Sequence, residues 1–185
     1  WEANKKYSIS NELLYADTAF IYPQLSLTAP WDISAYTALD TLSHAIESIW
    51  SIHKTLVTCQ HALNAIEICI KTLPLLLEDL GSLKYRAEMA KASIFAGLAF
   101  SQTRTAAAHA LSYPLTIFHG IPHGYACSLT LAAIFDFNLP KDSRDLKKVL
   151  QLFQKYYGTV ASSFDECFSV FLERCKTPTT LGDFG

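Results

Sequence analysis

Ser34-Ala35-Tyr36-Thr37-Ala38-Leu39-Asp40-Thr41-Leu42-Ser43-His44-Ala45-Ile46-Glu47-Ser48-Ile49 is the stretch on which the fold reading turns. Leu39, Leu42, Ala45, Ile46 and Ile49 recur at the three- and four-residue offsets of one helical face, and Ser34 is suited to cap its start. Asp40 and His44 stand four apart on that helix, so their side chains share a face and can converge on one point. Taken alone, the pair reads equally as a helix hydrogen bond or ion pair. A metal site needs further donors.

Moving outward, the same spacing predicts a mainly all-α chain. A second helix runs from about Thr55 through Val57, Ala62, Ala65, Ile66, Cys69 and Ile70 to Glu78, with Pro74 kinking or breaking it, and Gly81 ends the hairpin. Lys84 to Ala99 carries Ala87, Met89, Ala90, Ile94 and Leu98, and its small residues suit the central helix of a bundle. Further helices are expected over Thr105–Ser112, Gly124–Phe137, Ser143–Tyr157 and Ser162–Cys175. Upstream, Lys6–Ser10 and Ala16–Tyr22 are β-prone and predict one or two short strands, closed off by Pro23 and Pro30. The expected division is therefore residues 1–33 as a strand and linker segment and residues 34–185 as one helical domain.

Composition narrows the function classes. Among 185 residues half are apolar and 17% charged, with 7 Gly and 7 Pro, so the chain can bury a sizeable core and is not disordered. Fifteen Lys and Arg against seventeen Asp and Glu give a formal charge of -2, which offers no basic field for nucleic acid or an anionic membrane surface. No apolar run reaches the roughly 18 to 20 residues that span a bilayer, and the N-terminus has no secretory segment, so a cytoplasmic protein is expected. Cys59, Cys69, Cys127, Cys167 and Cys175 form no CxxC pair, and the odd count suits core thiols in a reducing compartment. A start at Trp1 and an end at Gly185 predict a piece of a longer protein.

Two further histidines supply donors. His109 lies among apolar residues in Thr105-Ala106-Ala107-Ala108-His109-Ala110-Leu111, where it reads either as a core histidine bonded to a distant carbonyl or as a ligand. His123, in Gly120-Ile121-Pro122-His123-Gly124, sits between a residue that fixes φ and one that lets backbone approach closely. Three imidazoles and one carboxylate make a borderline donor set suited to Zn(II) or Fe(II).

Thr37-Ala38-Leu39-Asp40-Thr41-Leu42-Ser43-His44-Ala45-Ile46-Glu47, then His109-Ala110-Leu111-Ser112-Tyr113-Pro114-Leu115, then Ile121-Pro122-His123-Gly124, with 14 positions from His109 to His123, resembles the iron-containing (group III) alcohol dehydrogenases. The likeness runs from about Lys6 to Asn138. It implies a dehydroquinate synthase-like helical metal domain with Asp40, His44, His109 and His123 as ligands to Fe(II) or Zn(II), and hydride transfer between NAD(H) or NADP(H) and a small aldehyde or alcohol. That family pairs this domain with an N-terminal dinucleotide-binding domain built around a Gly-rich loop. No such loop follows a strand in this chain, so the domain is expected to be absent and the isolated chain inactive. Lys6 corresponds to a family lysine near the cofactor and reads equally as a solvated edge-strand Lys. Strand edges within residues 7–22, left unpaired, would offer a surface for a homodimer.

Three departures from the pattern bear on chemistry. Ala38 replaces a usual Gly. Tyr113 stands where many members carry a second, non-ligand His; a phenol can still donate a proton, or simply wall the pocket. Arg104, flanked by Thr103 and Thr105, stands where many members have a Gly-rich turn, and could clamp an anionic substrate group or lie exposed on a turn. With Ser112-Tyr113-Pro114-Leu115-Thr116 it resembles the phosphonoacetaldehyde reductase-like branch. The competing readings are a non-catalytic helical domain or a relic metal site without turnover, and a metal hydrolase, for which no His-Glu-x-x-His or adjacent carboxylate base is found.

Overall fold

The computed structural model describes residues 11–140 and 143–184, which form seven helices joined by short turns. They are α1 (Trp31–Trp50), α2 (Leu56–Glu78), α3 (Leu83–Thr103), α4 (Ala107–His119), α5 (His123–Asn138), α6 (Ser143–Tyr157) and α7 (Phe164–Arg174). Three short 3-10 turns accompany them, and no strand occurs among the described residues. The strand expected at residues 16–22 is therefore absent: a strand exists through its ladder partner, and no described segment supplies one. The strand expected at residues 6–10, Lys6 included, lies outside the described residues.

The core helix is α1, which packs against α2, α3, α4, α5 and α6, so the expectation that residues 84–99 form the central helix is corrected. The reason lies in which faces are apolar. On α1, Leu39, Leu42, Ile46 and Ile49 are fully or almost fully buried, whereas Ile94 and Leu98 of α3 are exposed. A second core centre stacks Phe135 of α5, Phe153 of α6 and Phe164, Phe168 and Phe171 of α7; the Phe135 and Phe164 ring centroids stand 3.8 Å apart.

Helix boundaries follow from capping chemistry. Thr55 accepts from the Thr58 amide while Thr58 accepts from the Thr55 amide, and Ser163 and Glu166 make the same reciprocal pair before α7. Ser34 is not the cap of α1: the helix begins three residues earlier behind Pro30. Ser34 instead donates to the Pro30 carbonyl (2.9 Å) and accepts from the buried Arg86 guanidinium (2.7 Å), which also donates to the carbonyls of Ala29 and Leu80. α4 runs through Pro114 to His119 and ends at Gly120, which takes the left-handed φ of 69°. The Ala110 carbonyl deprived of an amide partner by Pro114 lies on an exposed face of α4, which explains why the helix outlasts the expected stop at Ser112.

Gly124 sets the distance between α1 and α5. A Cβ placed there would lie 1.7 Å from the Tyr36 carbonyl oxygen and 3.2 Å from Asp40 Cβ, so only glycine lets the two backbones touch where Asp40 and His123 face one another. Gly124→Ala is expected to force the helices apart, with a stability loss at or above the upper end of the about 1–3 kcal/mol usual for overpacking, read as a lowered urea midpoint. An unchanged midpoint would contradict this contact.

Candidate metal centre

Asp40 and His44 project from α1, His109 from the first turn of α4 and His123 from the first residue of α5. The helix contacts bring all four expected ligands to one place. His109 Nε2 lies 3.3 Å and His123 Nε2 3.7 Å from Asp40 Oδ1, and His44 Nδ1 lies 3.7 Å from Asp40 Oδ2. The His44 ring is sandwiched between Phe100 and His109, at centroid distances of 4.2 and 4.3 Å. Asp40, His109, His123 and Cys127 have ligand atoms that all lie within 4.8 Å of one another, and His44 falls outside that group, meeting it through Asp40 Oδ2.

Two residues around the site had no role assigned from sequence. Glu47, one turn beyond His44 on α1, is completely buried. Its carboxylate accepts from the Ala106 amide (2.8 Å), the Ala108 amide (2.6 Å) and His109 Nδ1 (2.7 Å). It thus caps the start of α4, where Ala106 has no side chain to do so, and fixes the His109 ring. The available signal was a carboxylate on the apolar face of α1, seven residues after Asp40, because a buried charge demands partners. Cys127, one turn after His123, was read only as a core thiol.

Hydrogen bonds fix which ring nitrogens face the site. His109 Nδ1 is occupied by Glu47, leaving Nε2 toward Asp40. Ser112 has one hydroxyl proton and gives it to the His109 carbonyl at 2.7 Å, so at 3.1 Å it accepts from His123 Nδ1–H and leaves His123 Nε2 as the free donor. Asp40 Oδ1 and His109 Nε2 are buried without a hydrogen-bond partner. A carboxylate oxygen and an imidazole nitrogen left this way, facing each other, are what a divalent cation would satisfy. The residues present therefore fit a metal ion.

Electrostatics among the protein's own groups follow from the same geometry. Burial opposes the charged form of Asp40, but the close approach of His109 Nε2 and the charges of His44, His109 and His123 outweigh it and hold the carboxyl below its ordinary value. Burial pulls His44 down to about 4, against the opposing pull of Asp40. Burial also disfavours the His109 imidazolium, yet the neighbouring Asp40, Cys127 and Glu47 outweigh it and raise that ring well above an ordinary His. At Cys127 burial opposes the thiolate, and the bonds from His109 and His123 outweigh it, lowering the thiol.

The remaining expected site residues are placed as follows. Tyr113 is half-buried with its ring parallel to that of His123, at 6.0 Å. Arg104 is exposed on the α3–α4 turn with φ 61°, a left-handed conformation that favours glycine, in keeping with the Gly-rich turn expected at this position. Thr103 is not available as its flanking hydroxyl: it is buried and bonded to Ser48 Oγ (2.9 Å) and the Ala99 carbonyl (3.2 Å). Lys6 lies outside the described residues.

Two measurements test this arrangement. Glu47→Gln, which keeps shape but weakens the anchoring of His109 Nδ1, is expected to lower metal affinity about 10- to 100-fold in titrations of the purified chain. In the presence of a chelator, His44 contributes stability that is fully present above pH 6.5 and is lost as pH falls toward 4, because only the unfolded ring takes up a proton in that window. His109, shifted the other way, contributes stability below pH 6.5 that is lost only as pH rises, so it does not oppose this acid limb. Unfolding free energies from urea titrations should therefore fall between pH 6.5 and 4 with a slope of up to about 1.4 kcal/mol per pH unit, and His44→Phe should flatten that slope.

Comparison with known proteins agrees with the geometry. Residues 34–185 match the model of the Fe-containing alcohol dehydrogenase family, C-terminal domain. The chain is 35% identical over 143 residues to the 1-propanol dehydrogenase of Citrobacter freundii, covering 77% of this chain and 38% of that protein. It is 28% identical over 134 residues to the phosphonoacetaldehyde reductase of Streptomyces viridochromogenes, covering 72% and 34%. The crystal structure of sulfoacetaldehyde reductase from Bifidobacterium kashiwanohense in complex with NAD+ superposes with a TM-score of 0.73 at 32% identity, covering 87% of this chain and 42% of that one. The chain spans less than half the length of these relatives. No described helix is long and apolar enough to cross a membrane. With a family match across the whole helical region and the matching residues gathered at one point, the chain belongs to the iron-containing alcohol dehydrogenase family, of which it carries the C-terminal helical domain.

Proposed function

We propose that this chain is the metal-binding half of an NAD(P)-dependent alcohol dehydrogenase that reduces small aldehydes and, in reverse, oxidises the alcohols. The observation that carries the reading is the pair of partnerless buried atoms, Asp40 Oδ1 and His109 Nε2, 3.3 Å apart and joined by His123 Nε2. Asp40, His44, His109 and His123 would hold the ion, Fe(II) or Zn(II). A divalent metal there supplies Lewis acidity toward a carbonyl oxygen. Glu47 and Ser112 hold the imidazoles in their donor orientation, so little reorganisation is needed on loading.

A nicotinamide dinucleotide, where bound, would supply the hydride for the carbonyl carbon, and the carbonyl oxygen would then need one proton. Tyr113, whose ring lies parallel to that of His123 at 6.0 Å, would supply that proton from its Oη. The dinucleotide belongs to the part of such enzymes that this chain does not match. Arg104 extends the reading to substrates with an anionic end, since relatives of this chain are named as reductases of phosphonoacetaldehyde and sulfoacetaldehyde. An exposed guanidinium on the turn leading into α4 would suit a phosphonate or sulfonate group.

The test begins with anaerobic Fe(II) and Zn(II) titrations. About one equivalent per chain, lost in His109→Ala and in His123→Ala, is expected; no binding, or unchanged stoichiometry in both variants, would overturn the assignment. In a full-length enzyme carrying this domain, aldehyde-dependent oxidation of NADH or NADPH reads the activity. There Arg104→Ala should raise KM for a phosphonate- or sulfonate-bearing aldehyde about tenfold or more, and raise KM for propanal much less.

A further inference from the structure

We propose that the cleft where α2, α3, α6 and α7 meet is a binding site for a small organic phosphate. It is formed by four helices that carry none of the metal ligands, so it stands apart from the centre described above. Its volume of about 530 Å³ lies within the roughly 300–1,000 Å³ usual for small-molecule sites and exceeds what a bare phosphate would fill.

Charge is the first observation. Lys71, Lys84 and Arg174 line the cleft against one carboxylate, Glu88, and that carboxylate already stands 3.3 Å from Lys91 Nζ. Lys71 is shared with Glu67 at 3.9 Å, but Lys84 and Arg174 make no ion pair with any described residue. A chain of net charge -2 thus gathers cations at one concave place. The start of α3 adds to the field. Its first turn holds no acidic residue and Ser82 makes no side-chain cap bond, so the leading amides keep their partial positive charge. Lys84 sits in that same turn, where a cation opposes the helix dipole, and a bound anion relieves the opposition.

The second, independent observation is Thr72, which lines the cleft at 7% exposure and whose hydroxyl has no hydrogen-bond partner among the described residues. Threonines of α1 donate to a carbonyl four residues back, as Thr37 does to Ile33 (2.6 Å) and Thr41 to Thr37 (3.0 Å). Thr72 makes no such bond, which leaves one buried donor for a ligand oxygen. The floor is held in place by its own bonds. Pro74 has no amide to give the Ile70 carbonyl, and the buried Tyr157 hydroxyl donates there instead. Tyr157 therefore offers the cleft its ring, and with Tyr85 and Tyr156 it makes an aromatic wall for the organic part of the ligand. The phosphate oxygens would take the Arg174 fork, the two lysines and Thr72 Oγ1.

Phenyl phosphate is the probe, titrated calorimetrically into the 185-residue chain at low salt. One equivalent is expected, bound more tightly than inorganic phosphate and weakened as salt is raised. Lys84→Glu and Arg174→Glu should each weaken binding about tenfold or more, and Thr72→Val, which keeps the side-chain shape, several-fold. Lys147→Glu, an equal change of charge at an exposed position of α6, should leave binding unchanged. No binding would overturn the proposal, and so would equal losses in all three charge variants, which read diffuse attraction and not a site. Inorganic phosphate bound as tightly as phenyl phosphate would overturn the organic part of the ligand. Should Thr72→Val fail to fold, the surface variants Lys84→Glu and Arg174→Glu decide.

Discussion

A fully buried carboxylate organises this domain. Glu47 is inside the bundle, where an unpartnered charge would be severely destabilising, and every partner it finds belongs to the start of α4. The exposed amides of a helix N-terminus carry partial positive charge, so the carboxylate satisfies orphan donors and complements the helix dipole together. Because Glu47 is covalently part of α1, the point at which α4 may begin is dictated by α1, and His109 is delivered to Asp40 as a consequence. The glycine contact at Gly124 does for α5 what Glu47 does for α4. One helix therefore serves as the template on which the other two donor-bearing helices are registered.

The charge balance at the centre follows from this template. His109 lies between two carboxylates, Asp40 at 3.3 Å and Glu47 at 2.7 Å, and without a metal its cationic form neutralises part of that charge. A divalent ion would take over the same task and release the proton on Nε2. His44 contributes differently. Sandwiched between aromatic faces and desolvated, it stays neutral to unusually low pH and so keeps its lone pairs available.

The helices were legible in the sequence because apolar spacing is a local property, and the expected starts near Thr55 and Ser162 fall at or one residue before the observed caps Thr55 and Ser163, whose reciprocal bonds reach only three residues. Ser34 misled because a hydroxyl suited to capping was used by Arg86, fifty-two residues away. Residues 16–22 misled because β-propensity says nothing about whether a ladder partner exists. The convergence of Asp40, His44, His109 and His123 followed from family resemblance, since no spacing rule links three helices. Glu47 and Cys127 were visible as letters, but what they do depends on which helix ends come to face them, and that is decided by tertiary packing.

Solvent reaches the donors unequally. The His123 side chain is 38% exposed and that of Asp40 27%, whereas His109 is nearly sealed at 2%. The donor group in this chain is thus open on one side and sealed on the other: an ion held there would keep a solvent-facing position beside His123 and Asp40, while its contact with His109 would be shielded from competing water.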